Sequence, residues 1–307
     1  MRAVAFCYSN VGDRCLRVLQ ACGMEISLVV THRDCPDELL WFQRVSDTAV
    51  ELGLPFVYAE DLAADDLVAA VAAARPGLIF SFYYRNMISA AVLELAPGGA
   101  FNMHGSLLPK YRGRAPTNWA VLQGEIETGA TLHEMVAKPD AGAIIAQLAV
   151  PILPDDTGRQ VFDKVAVAAE LVLWRSLPAL VAGTAVRHPN DLAAGSYFSR
   201  RTPEDGRINW SRPAAEVYNL IRAVAPPYPG AFTDIGIHRL VISSARRLTN
   251  PDIVASAGCS LGLNAVEDRI VALCGDGGLI EVRQLLAGAS ALDATALRSL
   301  FEKHKSQ

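Results

Sequence analysis

Through the first third of the chain, short apolar runs alternate with amphipathic stretches, and this rhythm restricts the possible folds more than any other feature. Ala3–Tyr8 reads as a buried strand, with a turn at Ser9–Gly12 leading into a helical pattern through Cys22. Strands follow at Ile26–Thr31, Pro55–Tyr58, Gly77–Phe82 and Gly99–His104, separated by helical patterns over Asp37–Leu52, Leu62–Ala74 and Ser89–Leu95. Short strands with helices between them cannot pair as hairpins. They predict an α/β domain with a Rossmann-like, mainly parallel sheet covered by helices on both faces.

The pattern then changes. Thr131–Val136 and Ala143–Val150 read as two strands joined through the Pro-Asp-Ala-Gly turn region of Ala137–Gly142. A long helix is expected over Asp156–Ala182 and another over Pro213–Ala225. Beyond it lie only short β-type runs, Leu240–Ser243, Ile270–Cys274 and Leu279–Gln284, punctuated by Gly, Pro and Asn. Composition turns polar between these parts, which places a boundary there. The expected organisation is a Rossmann-like domain at 1–189, a linker at 190–203 and a smaller β-rich, OB- or barrel-like domain at 204–307.

Several function classes are disfavoured. The most apolar stretches, Leu62–Phe80 and Val161–Val186, are interrupted by Asp65, Asp66 and Arg75 and by Asp163, Lys164, Glu170 and Arg175. Neither supplies the roughly 20 apolar residues of a membrane span. The N-terminal apolar run ends at Ser9, too soon for a secretory signal, so a cytoplasmic location is expected. The six cysteines form no C-x-x-C pair and no Cys/His cluster, so free thiols and no metal are expected. A formal charge of −4 without basic blocks offers nucleic acid no electrostatic footprint. The turn after the first strand, Tyr8-Ser9-Asn10-Val11-Gly12, lacks the G-x-G-x-x-G that lets a dinucleotide pyrophosphate approach a helix.

Unusual residues are densest in Phe101-Asn102-Met103-His104-Gly105-Ser106-Leu107-Leu108-Pro109-Lys110-Tyr111-Arg112-Gly113-Arg114-Ala115-Pro116. Residues two apart share a strand face, so Asn102 and His104 leave together at the carboxyl end of a sheet strand, the edge where ligands of open α/β sheets collect. Gly105 breaks the strand ahead of a loop carrying basic and proline residues.

This run, with Thr128-Gly129-Ala130-Thr131 and Lys138-Pro139-Asp140-Ala141-Gly142, resembles the signature of the 10-formyltetrahydrofolate-dependent formyltransferases. That family includes glycinamide ribonucleotide, methionyl-tRNA and sugar-nucleotide enzymes. Further similar segments are Ser81-Phe82-Tyr83-Tyr84-Arg85, Glu125–Thr131, Arg200-Arg201-Thr202-Pro203 and Pro229-Gly230-Ala231-Phe232, so the resemblance spans nearly the whole chain. It is most similar to the branch containing the formyltransferase part of the bifunctional polymyxin-resistance enzyme, which acts on UDP-4-amino-4-deoxy-L-arabinose. The decarboxylase half of that enzyme has no counterpart here, so a split gene or one piece of a longer polypeptide is expected.

The resemblance implies a catalytic set of Asn102, His104 and Asp140. It implies folate contacts at Asn86, Met87 and Ile88, at Arg114, and along Val136, Ala137, Lys138, Pro139 and Asp140. The co-substrate would be 10-formyltetrahydrofolate, with a nucleotide-linked amino sugar as acceptor. Arg200, Arg201 and Trp210, where the domains are expected to join, are candidates to hold the nucleotide. In acyl transfer Asn102 would donate to the growing oxyanion. His104 would shuttle a proton, and Asp140 would raise the pKa of that imidazole. His133 reads as structural.

The rivals are a methionyl-tRNA formyltransferase and a non-catalytic folate- or nucleotide-binding module. Balanced charge from Arg201 onward, the lack of a basic insertion at Thr31–Leu54, and Arg114 ahead of Ala115-Pro116 count against the tRNA enzyme. The complete Asn102, His104 and Asp140 set counts against the module.

Overall fold

The computed structural model describes residues 1–35, 40–248 and 258–305. The chain divides into two compact units. One comprises Met1–Pro116, Glu127–Pro151 and Phe162–Ser199; the other comprises Thr117–Ile126, Ile152–Val161 and Arg200–Gln307.

The first unit is built on a seven-stranded sheet. Its strands are β1 (Arg2–Cys7), β2 (Glu25–Thr31), β3 (Phe56–Tyr58), β4 (Leu78–Phe82), β5 (Ala100–His104), β7 (Glu127–Glu134) and β8 (Ile144–Pro151). Two short strands, β6 (Arg112–Gly113) and β9 (Tyr197–Phe198), pair with each other in parallel. The sheet order is β3-β2-β1-β4-β5-β7-β8. β1 to β5 run parallel, β7 is antiparallel to β5, and β8 is antiparallel to β7. Every residue of β4 is buried, as expected of a central strand with both faces covered. Phe80 stacks on Phe82 and meets Phe101 of β5, so the strand ends carrying the loops rest on a rigid aromatic floor.

The helices follow from local chemistry. α1 (Ser9–Ala21) buries Val11, Cys15, Leu16, Val18 and Leu19, spaced to form one apolar stripe. It begins at Ser9 itself, not after a turn to Gly12, because Ser9 takes a left-handed φ of 58° and completes the change of direction in one residue. α2 covers Val45–Glu51, shorter than the expected Asp37–Leu52. Residues 37–39 of that expectation lie outside the described residues. At 41–43 the chain is not helical: Trp41 packs edge-on against Phe162, Phe42 against Tyr8, and the Gln43 N–H donates to Asn10 Oδ1 at 2.7 Å. α3 (Ala64–Ala74) ends where Arg75 turns left-handed, and α4 (Ala90–Leu93) is capped by the Ser89 hydroxyl, which accepts from the Val92 N–H. α5 (Pro116–Leu122) and α6 (Gly158–Val181) complete the helices before residue 200. α6 buries Phe162, Val165, Ala169, Val172, Leu173 and Leu177 along one side.

The second unit carries α7 (Ala214–Ala223) and an antiparallel half-barrel sheet. Its strands are β10 (Ala231–Ile235), β11 (His238–Leu248), β12 (Gly262–Val266), β13 (Arg269–Leu273), β14 (Leu279–Ala287) and β15 (Ser290–Leu292). The order is β10-β11-β14-β13-β12, with β15 on β14, and α8 (Ala294–Lys305) follows. The expected runs Leu240–Ser243 and Leu279–Gln284 fall within β11 and β14, and Ile270–Cys274 overlaps β13, which ends one residue earlier at Leu273, so the Rossmann-like and β-rich parts are both present. β10, β12, β15 and α8 were not foreseen. β10 and β12 each pair with a neighbouring strand across a tight turn, and such pairing supplies what their own weak patterns lack. Among the described residues no helix is long and apolar enough to cross a membrane.

Candidate active site

Reading along the sheet, chain order reverses direction between β1 and β4, and β5 lies beyond β4. At the carboxyl edge of β4 and β5, the first unit holds a cavity of about 460 Å³. Ser81 and Tyr83 enter it from β4 and the residue just past its end, Asn102 and His104 from β5, and His133 from β7. This size lies within the range of small-molecule and cofactor sites.

The three residues from the expected catalytic set meet there. His104 is buried, and its Nε2 lies 2.8 Å from the Tyr111 carbonyl oxygen. A carbonyl only accepts, so Nε2 carries the hydrogen and Nδ1 is the basic nitrogen. Nδ1 faces Asp140 Oδ1 at 3.5 Å. Asp140 also accepts from the Gly113 N–H at 2.9 Å through its other oxygen, and its Oδ1 lies 3.6 Å from His133 Nε2. Asn102 Nδ2 is 3.0 Å from that same His133 nitrogen.

Two glycines make this placement possible. Gly113 has φ of 96°, and a side chain there would run into the Phe198 carbonyl; its freedom lets the loop N–H turn to Asp140. A side chain at Gly142 would collide with the Glu134 carbonyl. Asp140 itself is left-handed, φ 50°, and Asn190 Nδ2 clamps its turn by donating to the Asp140 and Gly142 carbonyls, each at 3.1 Å. The 105–116 loop is pinned as firmly. Thr131 Oγ1 donates to the Ser106 carbonyl at 2.6 Å and accepts from the Leu108 N–H at 3.1 Å, while Gln147 Nε2 donates to the Leu108 carbonyl at 2.8 Å. The Ser106 hydroxyl donates to the Lys110 carbonyl at 2.6 Å, fixing the turn that presents Tyr111 to His104.

Burial pushes the His104 imidazole below the ordinary histidine value, against the opposite pulls of Asp140 and the Tyr111 carbonyl. The expected rise caused by the carboxylate is therefore outweighed by desolvation, and His104 is poised as a neutral base. For Asp140, burial alone would favour the acid. The His104 and His133 rings when they carry a proton toward it, and the Gly113 N–H that donates to its other oxygen, overcome it and hold the carboxyl well below the usual carboxylate range. An ionised carboxylate thus faces a neutral imidazole whose free nitrogen points at it.

This arrangement has a stability signature. The folded state binds the His104 proton less tightly than the unfolded chain, so the unfolded state holds more protons once pH falls below about 6.5. The contribution of the neutral buried ring is complete above that value and lost as pH falls through the depressed folded value. Thermal melts should show Tm declining through this window, with a shallower decline in His104→Gln. Equal slopes for both proteins would remove His104 as the source. Asp140, also depressed, acts only in the more acidic carboxylate range.

Of the residues expected to touch folate, Asn86, Met87, Ile88, Arg114, Val136, Pro139 and Asp140 line the cavity. Ala137 and Lys138 do not; both are exposed on the turn. Met87 is 66% exposed and Val136 44%, so two large apolar side chains at the lining face solvent. Arg200, Arg201 and Trp210 belong to the second unit. Arg200 is exposed. Arg201 lies 5.0 Å from the Trp119 ring, donates to the Asp205 carbonyl at 3.0 Å and has its pKa lowered by burial. The Trp210 indole N–H donates to Thr233 Oγ1 at 3.1 Å. His133, set aside on sequence grounds, lines the cavity; it lies directly across the β5–β7 ladder from Asn102. No local signal marks it, because that pairing joins strands separated by a loop and a helix.

A family model described as formyl transferase matches residues 7–177, and one described as formyl transferase, C-terminal domain, matches residues 200–300. Similar solved structures include an N-formyltransferase from Helicobacter canadensis, solved with folinic acid and dTDP-3-aminofucose. It is 20% identical with a TM-score of 0.70, over 92% of this chain and 98% of that one. WlaRD, a sugar 3N-formyl transferase solved with dTDP and 5-N-formyl-THF, is 19% identical with a TM-score of 0.70, over 94% and 98%. HypX from Aquifex aeolicus, solved with tetrahydrofolic acid, is 18% identical with a TM-score of 0.64, covering 98% of this chain but 47% of that one. At these identities the likeness is one of fold.

Proposed function

The chain belongs to the formyl transferase family, and from that premise we propose that it moves a formyl group from 10-formyltetrahydrofolate to the amine of a nucleotide-linked amino sugar. The observation that carries the reading is the meeting of Asn102, His104 and Asp140 beside a cavity of about 460 Å³. Support for a folate occupant comes from the lining itself. Met87, Ile88, Leu93, Met103, Met135 and Val136 offer apolar contact to a flat heterocycle, with polar Ser81, Asn86 and Arg114 among them. The family models cover both parts of the chain, and two of the similar structures were solved with a folate and with dTDP or a dTDP-sugar.

When bound, the folate would supply the formyl carbonyl. The chain's own residues do the rest. Asn102 donates an amide N–H to the formyl oxygen as negative charge gathers there. His104 Nδ1 accepts the proton that the acceptor amine must lose, and ionised Asp140 at 3.5 Å stabilises the resulting imidazolium. The same proton then goes to the departing nitrogen, leaving His104 neutral again. The Tyr111 carbonyl keeps Nε2–H engaged throughout, so only Nδ1 exchanges protons.

The acceptor within this reading is UDP-4-amino-4-deoxy-L-arabinose, by sequence resemblance to that branch, with a role in lipid A modification and polymyxin resistance. Residues 204–307 are taken as the accessory domain, with Arg200, Arg201 and Trp210 as nucleotide contacts. The test is mass spectrometry of purified protein incubated with 10-formyltetrahydrofolate and a panel of UDP- and dTDP-linked amino sugars. A product heavier by one formyl group, from the arabinose derivative ahead of the others, is expected. Transfer to a dTDP-sugar instead would overturn the acceptor, and no transfer to any would overturn the function.

A further inference from the structure

Beside Asn102, His104 and Asp140 the cavity is lined by a buried imidazole, His133, that the chemistry above leaves without a task. We propose that His133 is a positioning residue: it holds the Asn102 amide so that one N–H faces the cavity, and it influences transfer only through Asn102. The proposal rests on the formyl-transfer reading.

His133 is only 1% exposed, and the strand register sets it opposite Asn102. Its Nδ1 lies 2.7 Å from the Glu134 carbonyl oxygen. Because that oxygen only accepts, Nδ1 carries the ring hydrogen and Nε2 presents a lone pair. Asn102 Nδ2 donates to it at 3.0 Å. A carboxamide that can turn over presents either its NH₂ or its oxygen to a given point. Here the lone pair on Nε2 selects the NH₂. Once one N–H is used by His133, the second remains for the reacting oxygen. The opposite orientation would set an amide oxygen against growing negative charge. A donor fixed before the reaction needs no reorganisation during it, which is where such donors gain their strength.

The nearby carboxylate is the competing partner for this nitrogen. Asp140 Oδ1 lies 3.6 Å from His133 Nε2 and 3.5 Å from His104 Nδ1. A hydrogen on Nε2 would point at that carboxylate; the Glu134 carbonyl holds it on Nδ1 instead and leaves Nε2 to Asn102, so one imidazole moves the proton and the other orients the amide. The tautomers differ for a structural reason, since each ring gives its single hydrogen to a different backbone carbonyl, Tyr111 for His104 and Glu134 for His133.

The experiment is a double-mutant cycle combined with imidazole nitrogen NMR. His133→Ala should lower turnover about 10–100-fold, the scale seen when the outer partner of a metal ligand is removed, with KM for the folate nearly unchanged. His133→Gln should recover most of the loss, because its side-chain oxygen can accept from Asn102. In an Asn102→Ala background, His133→Ala should cause no further loss, since its effect passes through the missing amide. In the unmutated protein the nitrogen shifts should report an Nδ1–H tautomer for His133, with Nε2 moving on Asn102→Ala. Additive losses in the cycle, an Nε2–H tautomer, or a His133→Gln variant that folds but stays as slow as His133→Ala would each overturn the positioning role. An unmutated protein that transfers no formyl group would overturn the underlying reading, a result distinct from those three.

Discussion

His104→Ala is expected to lower turnover by about 10²–10⁴-fold, the range lost with a positioned general acid–base, while the protein stays folded. The ring is buried, so the fold must be checked by thermal melting, and His104→Gln serves as the less disruptive partner variant. The loss should appear in kcat, with KM for the folate changing much less, because the ring acts on the proton in transit and not on the bound donor. The expected pH profile follows from the depressed pKa of His104. Activity needs Nδ1 unprotonated, so the acid limb should lie below the ordinary histidine value, with a plateau across neutral pH. Asp140→Asn removes the carboxylate that stabilises the imidazolium and should slow the same step while leaving Nε2 bound to Tyr111. Near-normal turnover in His104→Ala would remove the residue from the mechanism.

Replacing Asn102 with alanine should cost about 10²–10³-fold in kcat, the amount associated with one oxyanion donor. Asn102 is part-buried on a strand whose neighbours remain, so the fold should tolerate truncation. Asn102→Asp is the sharper variant: nearly the same shape, but a carboxylate that donates nothing and repels the developing charge. It should be at least as slow as Asn102→Ala. The two chemistries can be separated by their pH response. Loss of the amide should lower the plateau without moving the acid limb, whereas changes at Asp140 should move the limb. An Asn102→Ala protein with kcat intact and only KM raised would make the amide a ground-state contact and not a transition-state one.

How much of this was legible beforehand differs by element. β4 and β5 were readable because central strands are rich in buried apolar residues, and Gly105 follows the end of β5. The common face of Asn102 and His104 followed from the two-residue period alone. The meeting with Asp140 was expected from the family signature, and spacing could not have supplied it, because 36 residues separate Asp140 from His104. Ala137 and Lys138 were grouped with their neighbours as one contact segment, yet the left-handed turn at Asp140 leaves both exposed. The segment at 40–44 was drawn into a helix because its composition allowed one; packing of Trp41 and Phe42 drew it out.

Read alone, the amino-acid order determined the alternation of strands and helices through β5 and which strand carries an amide and an imidazole outward together. Those outcomes depend on neighbours a few residues apart. Only the tertiary structure decided that β7 lies antiparallel beside β5, placing His133 against Asn102. It also decided that burial lowers the affinity of His104 for its proton despite the adjacent carboxylate. Pairing partners and local solvation are set by groups far apart along the chain, and neither has a signature in any short stretch of it.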